Sequence, residues 1–338
     1  MEKPLDKIVL LAKMPGITSF TSLYNVKRSF NTTKVGHTGT LDNFAQGLLV
    51  VCTGRLTKLA GNITEFDKSY KAVLTFGTET DTLDYEGNVV CEAPLPDEET
   101  VRSVVASFVG EQMQTPPQFS AIHVDGKRAS ELVRKGVEVD IPARKINVFS
   151  ANIEQIMKNA DGKVMACLID FSVSKGTYIR CLARDIGKAC GSVAHLTGLY
   201  RTKVGNFGIE EAAGYNALPE FNIENCIQLA QKLKNEKPDK PEREQELEFQ
   251  KEIIQTSKDF DEQTAVLCGF KILHFAGETS EQDFRFGRPL HKTFFADKIV
   301  MQTADDLFAV FGKSGNFCGL VGCKDLEKQY VGYKMVIQ

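Results

Sequence analysis

The sequence predicts an α+β protein, with strand-like and helix-like segments interspersed through most of the chain and a small, mostly β region at its C-terminal end. Three observations carry this. Residues 48–52 form a continuous apolar run, the pattern of a strand buried on both faces. Residues 68–76 alternate instead, with Tyr70, Ala72, Leu74 and Phe76 on one face. After residue 178, apolar residues recur at helical spacing.

In chain order, residues 9–12 read as a short strand and residues 19–30 as a helix capped by Thr18 or Ser19. The two strands just described follow. Asp97 opens a helix running to about residue 108, with Glu98 and Glu99 at the positive end of its dipole. Met165, Cys167, Ile169, Phe171 and Val173 share one face of a long strand. The helix after it carries Ile179, Leu182, Ala183, Ile186 and Cys190 and stops at Gly191, a residue suited to the left-handed turn that ends a helix. Residues 232–252 break the pattern. They are charged, interrupted by proline and without an apolar stripe until their end, which reads as a surface segment or interdomain linker. Beyond them, residues 265–273, 298–303, 307–312, 318–323 and 331–337 are strand-like, with a hairpin turn at 312–316.

Composition narrows the classes. Hydrophobic residues at 42% and charged residues at 25% fit an ordinary soluble globular protein. No apolar run is long enough to span a bilayer, and the first residues lack the features of a signal peptide, so a cytoplasmic protein is expected. The nine cysteines include no C-x-x-C pair, and Cys52, Cys167, Cys181 and Cys190 sit in apolar runs; neither metal nor disulfides are expected. The net charge of −3 is no signature of a nucleic-acid binder. Residues 1–213 carry 25 Lys+Arg against 24 Asp+Glu and the remainder 16 against 20, so a nucleic acid would have to meet local basic patches.

The most informative segment is Lys34-Val-Gly-His-Thr-Gly-Thr-Leu-Asp42-Asn-Phe-Ala-Gln-Gly47. Its glycines allow a tight loop, His37, Thr38 and Thr40 can hydrogen-bond the backbone, and Asp42 arrives just ahead of the buried strand. No G-K-[ST] closes it, so it is not a phosphate-binding loop. From these residues alone, Asp42 is either a turn residue or a catalytic carboxylate.

GHTGTLD followed by A-x-G-L-L resembles the catalytic motif of the TruB family, the bacterial tRNA pseudouridine-55 synthases. Other segments resemble the family's in the right order. They are Lys13-Met-Pro-Gly16-Ile-Thr-Ser19, Lys68-Ser-Tyr70-Lys71, Gly77-x-x-Thr80-Asp81-Thr82-x-Asp84, Pro116-Pro117-x-Phe119-Ser120-Ala121 and Ser174-Lys-Gly-Thr-Tyr178-Ile-Arg180, with His195-Leu downstream. The likeness spans residues 8–210. More loosely, Phe284-Arg-Phe-Gly-Arg-Pro289 and the hairpin at Gly312 resemble a PUA-like RNA-binding module.

The resemblance implies an isomerase that converts uridine to pseudouridine at position 55 of the tRNA T-loop, with no cofactor. Breaking C1′–N1, turning the uracil and forming C1′–C5 calls for an ionised, aimed carboxylate, here Asp42. Arg180, by its place in the motif, would keep it ionised. Tyr70 matches the tyrosine that stacks on the target base and takes part in proton removal, the other reading being a core tyrosine. Tyr178 is a substrate-binding residue or a packing residue at the helix start. His37 matches a histidine that assists base flipping, or it braces its own loop. Lys13 and Gly16 would buttress the loop.

The implied organisation is a pseudouridine synthase fold over residues 1–230 with a mixed, mainly antiparallel sheet. A charged linker at 231–260 and a PUA-like domain at 261–338 follow. Residues 118–146 correspond to a flap that closes on RNA, where Lys127, Arg128, Arg134 and Lys135 would meet phosphates; a plain basic loop is the other reading. The implied partner is the tRNA T-arm, with no protein partner, no membrane and a monomeric chain. Departures from the family pattern are Met14 and Asn43 in place of prolines, Gln46 of threonine, Phe119 of tyrosine, His123 of lysine and Ser130 of an aromatic residue. They bear on affinity and flap closure more than on the reaction.

Two other classes compete. A carboxylate hydrolase could pair Asp42 with Asp81 or Asp84, although a chain without tryptophan makes a poor sugar cleft. An RNA-folding factor could use the same fold without turnover, but pure binding has no need of Asp42, Tyr70 and Arg180 together. A guide-RNA-dependent relative would require partner subunits.

Overall fold

Continuous and alternating apolar runs make two kinds of strand here, and the difference decides where the layers lie. The structure, a computed structural model, describes residues 6–118, 123–124, 127–128, 141–236, 238 and 241–337. From the N-terminus come β1 (Lys7–Lys13), α1 (Ser19–Ser29), β2 (Val35–His37), β3 (Gln46–Thr53), α2 (Ala60–Thr64) and β4 (Lys68–Phe76). A side hairpin, β5 (Thr78–Thr80) and β6 (Val89–Glu92), leads to α3 (Glu98–Ser107) and β7 (Gly110–Gln114). The short pair β8 (His123–Val124) and β9 (Lys127–Arg128) precedes β10 (Arg144–Lys158), β11 (Val164–Val173), α4 (Ile179–Ala189) and β12 (Ala194–Val204). Next are β13 (Phe207–Gly208), α5 (Ile223–Asn235), α6 (Arg243–Thr256), β14 (Lys258–Asp259) and α7 (Glu262–Leu267). The last elements are β15 (Lys271–His274), α8 (Glu278–Arg285), β16 (Leu307–Phe311), β17 (Phe317–Asp325) and β18 (Tyr330–Val336).

The main sheet has the order β14-β1-β3-β12-β4-β11-β10-β7, with β2 on β3 and β13 on β12. Its pairings are antiparallel except for β3 with β12. This is the mixed, mainly antiparallel sheet that was expected. In β1 and β3 the unbroken apolar runs serve two cores: Ile8, Leu10, Leu48 and Val50 face one, while Val9, Leu11, Leu49 and Val51 face the other beneath α1 and α6. A strand covered on both faces has no polar side to alternate with. In β4, Tyr70, Ala72, Leu74 and Phe76 share a core with Val101 and Val105 of α3 and with Leu182, Ala183 and Ile186 of α4.

A second sheet, β15-β16-β17-β18, makes the C-terminal region β-rich, with β15 parallel to β16 and the other pairs antiparallel. One face sets Ala309, Phe311, Leu320 and Met335 against Ile8, Leu10 and Leu48 of the main sheet. Thr18 caps α1 by accepting the Thr21 N–H, and Gly191, at φ +68°, follows the end of α4. No helix of the described residues is long and apolar enough to cross a membrane.

Four local expectations need correction. Residues 232–252 are largely helical: α5 runs on to Asn235, and α6 opens with a capping box between Glu242 and Gln245. Phe249 and Ile253, four residues apart, suffice to seat α6 on α1, helped by hydrogen bonds from Ser29 to the Gln250 carbonyl and from Gln250 to Asn25. Residues 265–267 close the short helix α7, which Asp261 caps by accepting the Thr264 N–H, and only residues 271–274 are strand. Residues 298–303 form no strand, although Ile299 and Met301 are buried. Met165 is exposed, and the residues of β11 in the core are Val164, Cys167, Ile169, Phe171 and Val173. Of the expected flap, residues 119–122, 125–126 and 129–140 lie outside the described residues; β8 and β9 pair antiparallel within it.

Candidate active site

The loop between β2 and β3 is held by buried polar groups from three directions. Ser19, first residue of α1, bonds the Leu41 backbone at both ends: its Oγ accepts the Leu41 N–H at 2.9 Å and donates to the Leu41 carbonyl at 3.1 Å. Lys13, fully buried at the end of β1, donates from Nζ to the carbonyls of Met14, Asn43 and Ala45 at 3.0, 3.1 and 2.6 Å. Burial pulls its pKa down to about 7, while Asp42 works in the opposite direction. From β12, Arg201 donates from Nε to the Leu48 carbonyl at 2.8 Å and from Nη2 to the Gly39 carbonyl at 3.1 Å. At Gly47, φ is +116° and a Cβ would stand 2.3 Å from the Arg201 carbonyl oxygen, so the loop reaches β12 only through glycine.

Lys13→Met keeps the bulk of this side chain and takes its donor from the Met14 and Ala45 carbonyls, while the Asn43 carbonyl keeps the Gly16 N–H. Each buried group left unpaired costs about 1–3 kcal/mol, so we expect a loss of roughly 2–4 kcal/mol in urea unfolding after partial relaxation. An unchanged midpoint would show that the loop does not depend on this lysine.

Asp42 leaves this loop one-third exposed, and Arg180 meets it from the first turn of α4: Nη2 donates to Asp42 Oδ1 at 3.0 Å. The same buried guanidinium donates from Nη1 to the Thr82 carbonyl at 2.9 Å and reaches Asp84 Oδ2 at 3.4 Å. Arg180 therefore lies between two carboxylates. Burial opposes its charge, yet Asp42 and Asp84 outweigh burial and raise its pKa. Asp84 is itself buried, and desolvation pushes its pKa up to about 6 against the pull of the Thr82 hydroxyl, which donates to Oδ1 at 2.6 Å, and of Arg180. Asp81 instead accepts the Asn88 N–H of its own loop at 2.9 Å. Asp42 and Asp84 are thus bridged by a cation, and Asp81 is engaged within its own turn.

The raised pKa of Asp84 carries a sign. Its contribution to stability is fullest at low pH, where the carboxyl is neutral in folded and unfolded chains alike, and is lost as pH rises from about 4 through about 6. Its grip on Arg180 runs the other way, because only the ionised form attracts the guanidinium. We expect turnover to fall as pH drops through about 6, and Asp84→Asn to hold the low value at every pH. A flat wild-type profile across that range, or full activity in Asp84→Asn, would remove Asp84 from the positioning of Arg180.

The remaining candidates are less tightly grouped. Tyr70 is buried on β4, opposite Phe171 of β11 and Arg201 of β12, and shares a core with Leu41, Phe44 and Ala45 of the loop. Tyr178 precedes α4; buried Gln114 accepts its N–H at 2.8 Å and donates to its carbonyl at 3.1 Å, and the Arg144 guanidinium lies 5.0 Å from its ring centre. His37 ends β2, where Nδ1 accepts the Gly39 N–H at 3.4 Å, and burial with the charge of Arg201 lowers its pKa. Lys127 and Arg128 lie on β9, and Arg134 and Lys135 lie outside the described residues. Sequence reasoning missed Gln114, Arg144, Arg201 and the link from Asp84 to Arg180. For Arg201 a signal existed, an arginine inside a strand-like run; for Gln114 there was none.

Residues 27–179 match the family described as TruB family pseudouridylate synthase (N terminal domain). Over its whole length the chain is 38% identical to tRNA pseudouridine synthase B of Treponema denticola, an alignment of 358 residues covering 100% of both proteins. It is 45% identical over 218 residues to the protein of the same name from Bordetella parapertussis, covering 63% of this chain and 87% of that one. Among solved structures, a chain of a Cbf5-Nop10-Gar1 complex superposes with a TM-score of 0.62 at 21% identity, covering 98% of this chain and 84% of the other. At that identity the likeness speaks for the fold.

Proposed function

The chain belongs to the TruB family of pseudouridylate synthases, and from that premise we propose that it isomerises uridine to pseudouridine at position 55 in the T-loop of tRNA. The observation that carries the reading is Asp42, held in its loop with Arg180 at 3.0 Å. Asp42 is the nucleophile: the C1′–N1 bond breaks, the uracil turns, C1′–C5 forms and the C5 proton moves to nitrogen. Substrate and product are isomers, so the balance needs no co-reactant. The Arg180 guanidinium pairs with Asp42 and aims it while staying anchored on Asp84. Tyr70 stacks on the flipped base and assists proton removal, His37 supports the flipped geometry, and Tyr178 lines the substrate side of α4.

The RNA partner is the tRNA T-arm, gripped through Lys127, Arg128, Arg134 and Lys135 of the 118–146 flap. The catalytic domain covers residues 1–230, residues 231–260 connect it to the rest, and residues 261–338 form a PUA-like RNA-binding domain. Support for this division comes from the second sheet, which has a core of its own around Phe284 and Val321.

Incubating an unmodified tRNA transcript with purified protein and mapping pseudouridine by carbodiimide and primer extension tests the reading. A stop at position 55 is expected. Binding without any stop would make the protein an RNA-folding factor, and a stop elsewhere would overturn the assigned position.

A further inference from the structure

The exposed face of α1 carries a pattern that the active site does not use. Phe20 and Tyr24 are 70% and 51% exposed. Standing four residues apart, they lie one above the other on the helix. Lys27 Nζ sits 4.7 Å from the centre of the Phe20 ring, and the Arg28 guanidinium carbon 5.5 Å from that of Tyr24. Arg28 Nη1 also donates to the Tyr24 hydroxyl at 2.7 Å. With about 100° of turn per residue, the four side chains share an arc of about 100°, and Leu23 and Val26 are buried on the other side. The helix α6 packs on a further flank, through Asn25 and Ser29, and leaves the stripe open.

Single exposed rings are ordinary on a protein surface. Alternation of rings with cations is not. Neither Lys27 nor Arg28 forms an ion pair with a carboxylate among the described residues, whereas surface cations such as Lys7, Lys71, Arg102 and Lys163 do. Glu246 of α6 is an acidic group close enough to act on Arg28. The stripe is also tied to the site: Ser19, which opens α1, bonds the backbone of Leu41, the residue before Asp42. From Phe20 to Arg28 the helix rises about 12 Å.

We propose that this stripe is a second RNA contact. A strand leaving the active site lies along α1, setting phosphates on Lys27 and Arg28 and an unpaired base on the ring of Phe20 or Tyr24. Charge and continuity select RNA: unpaired cations complement phosphates, aromatic faces accept any base, and the stripe begins beside the loop that holds Asp42. The inference rests on the RNA substrate proposed above.

Two double variants test it, Lys27→Ala with Arg28→Ala and Phe20→Ala with Tyr24→Ala. Each is measured for tRNA affinity over a salt series, beside the wild-type protein assayed for pseudouridine. The charge variant should bind more weakly, with a salt slope flatter by up to about 0.7–0.9 per lost phosphate. The ring variant should lose about 5- to 150-fold in affinity for each stacked base, with its slope unchanged. Lys27→Arg with Arg28→Lys should restore the slope, and failure to do so would show that charge is not what was lost and end the proposal. Affinity within about twofold of wild type in both alanine variants would equally overturn it, leaving the stripe to a protein partner or to none. If wild type forms no pseudouridine while these losses appear, the catalytic reading fails and the RNA surface stands.

Discussion

Asp42→Asn is expected to abolish pseudouridine formation while tRNA binding stays within a few-fold of wild type. Asparagine has the shape of aspartate and can still accept the hydrogen bond from Arg180 Nη2, so the loop has little reason to move. It removes the negative charge and with it the nucleophile. Arg180 keeps the Thr82 carbonyl and Asp84 as anchors, so the buried guanidinium is not stranded by the change. RNA affinity is dominated by phosphate contacts, to which one carboxylate adds little, and losing a negative charge works slightly in favour of binding. Tritium release from tRNA labelled at uridine C5 reports turnover, and filter binding reports affinity. Turnover above about 1% of wild type would take Asp42 out of the nucleophile role, since loss of a nucleophile costs far more than the ~10²-fold minimum of a lost general base.

The second large effect is expected at Tyr70, where ring and hydroxyl can be separated. Tyr70→Phe keeps the ring in the core it shares with Leu41, Phe44 and Phe171 and removes only the hydroxyl. Stacking on the flipped uracil, worth about 1–3 kcal/mol by analogy with single-stranded recognition, survives. If the hydroxyl takes part in proton transfer, turnover falls by at least ~10²-fold, the lower end of the range for a positioned general base. Tyr70→Leu loses both contributions and should bind tRNA more weakly as well. The double change at Tyr70 and Asp42 should bind much like Asp42→Asn when phenylalanine is the replacement. Near-normal turnover in Tyr70→Phe would leave stacking as the role of this residue and make Asp42 the first suspect as proton acceptor.

Several elements could be read from local pattern because burial is nearly periodic in them. The unbroken run of β3 announced a strand covered on both faces, β1 was legible as a short strand, the alternation of β4 announced one core face, and Gly191 marked the end of α4. Where a segment was read and misjudged, burial was sparse; the long strands β10 and β12 were not read at all, although β12 is largely buried. Two residues, Phe249 and Ile253, seat α6, and a charged helix held at so few points leaves no stripe to find. In residues 298–303, Ile299 and Met301 cover a core, and such alternation alone does not tell a paired strand from an unpaired segment.

The site divides in the same way. Asp42 in its glycine-rich loop, Tyr70 on an inward strand face and Arg180 in its motif are legible because each depends on residues within a short stretch. Which groups meet is a long-range matter that no local pattern encodes. Arg180 touches Asp42 across 138 positions and Asp84 across 96, and Arg201 reaches Gly39 across 162. The Arg201 contact exists because β12 lies beside β3 in the sheet, and the Arg180 contacts because α4, just before β12 in the chain, packs on that strand. The sequence named the chemical groups; the tertiary structure decided that one buried guanidinium would meet two carboxylates and that Asp84 would be buried, where desolvation raises its pKa against the pull of Thr82 and Arg180.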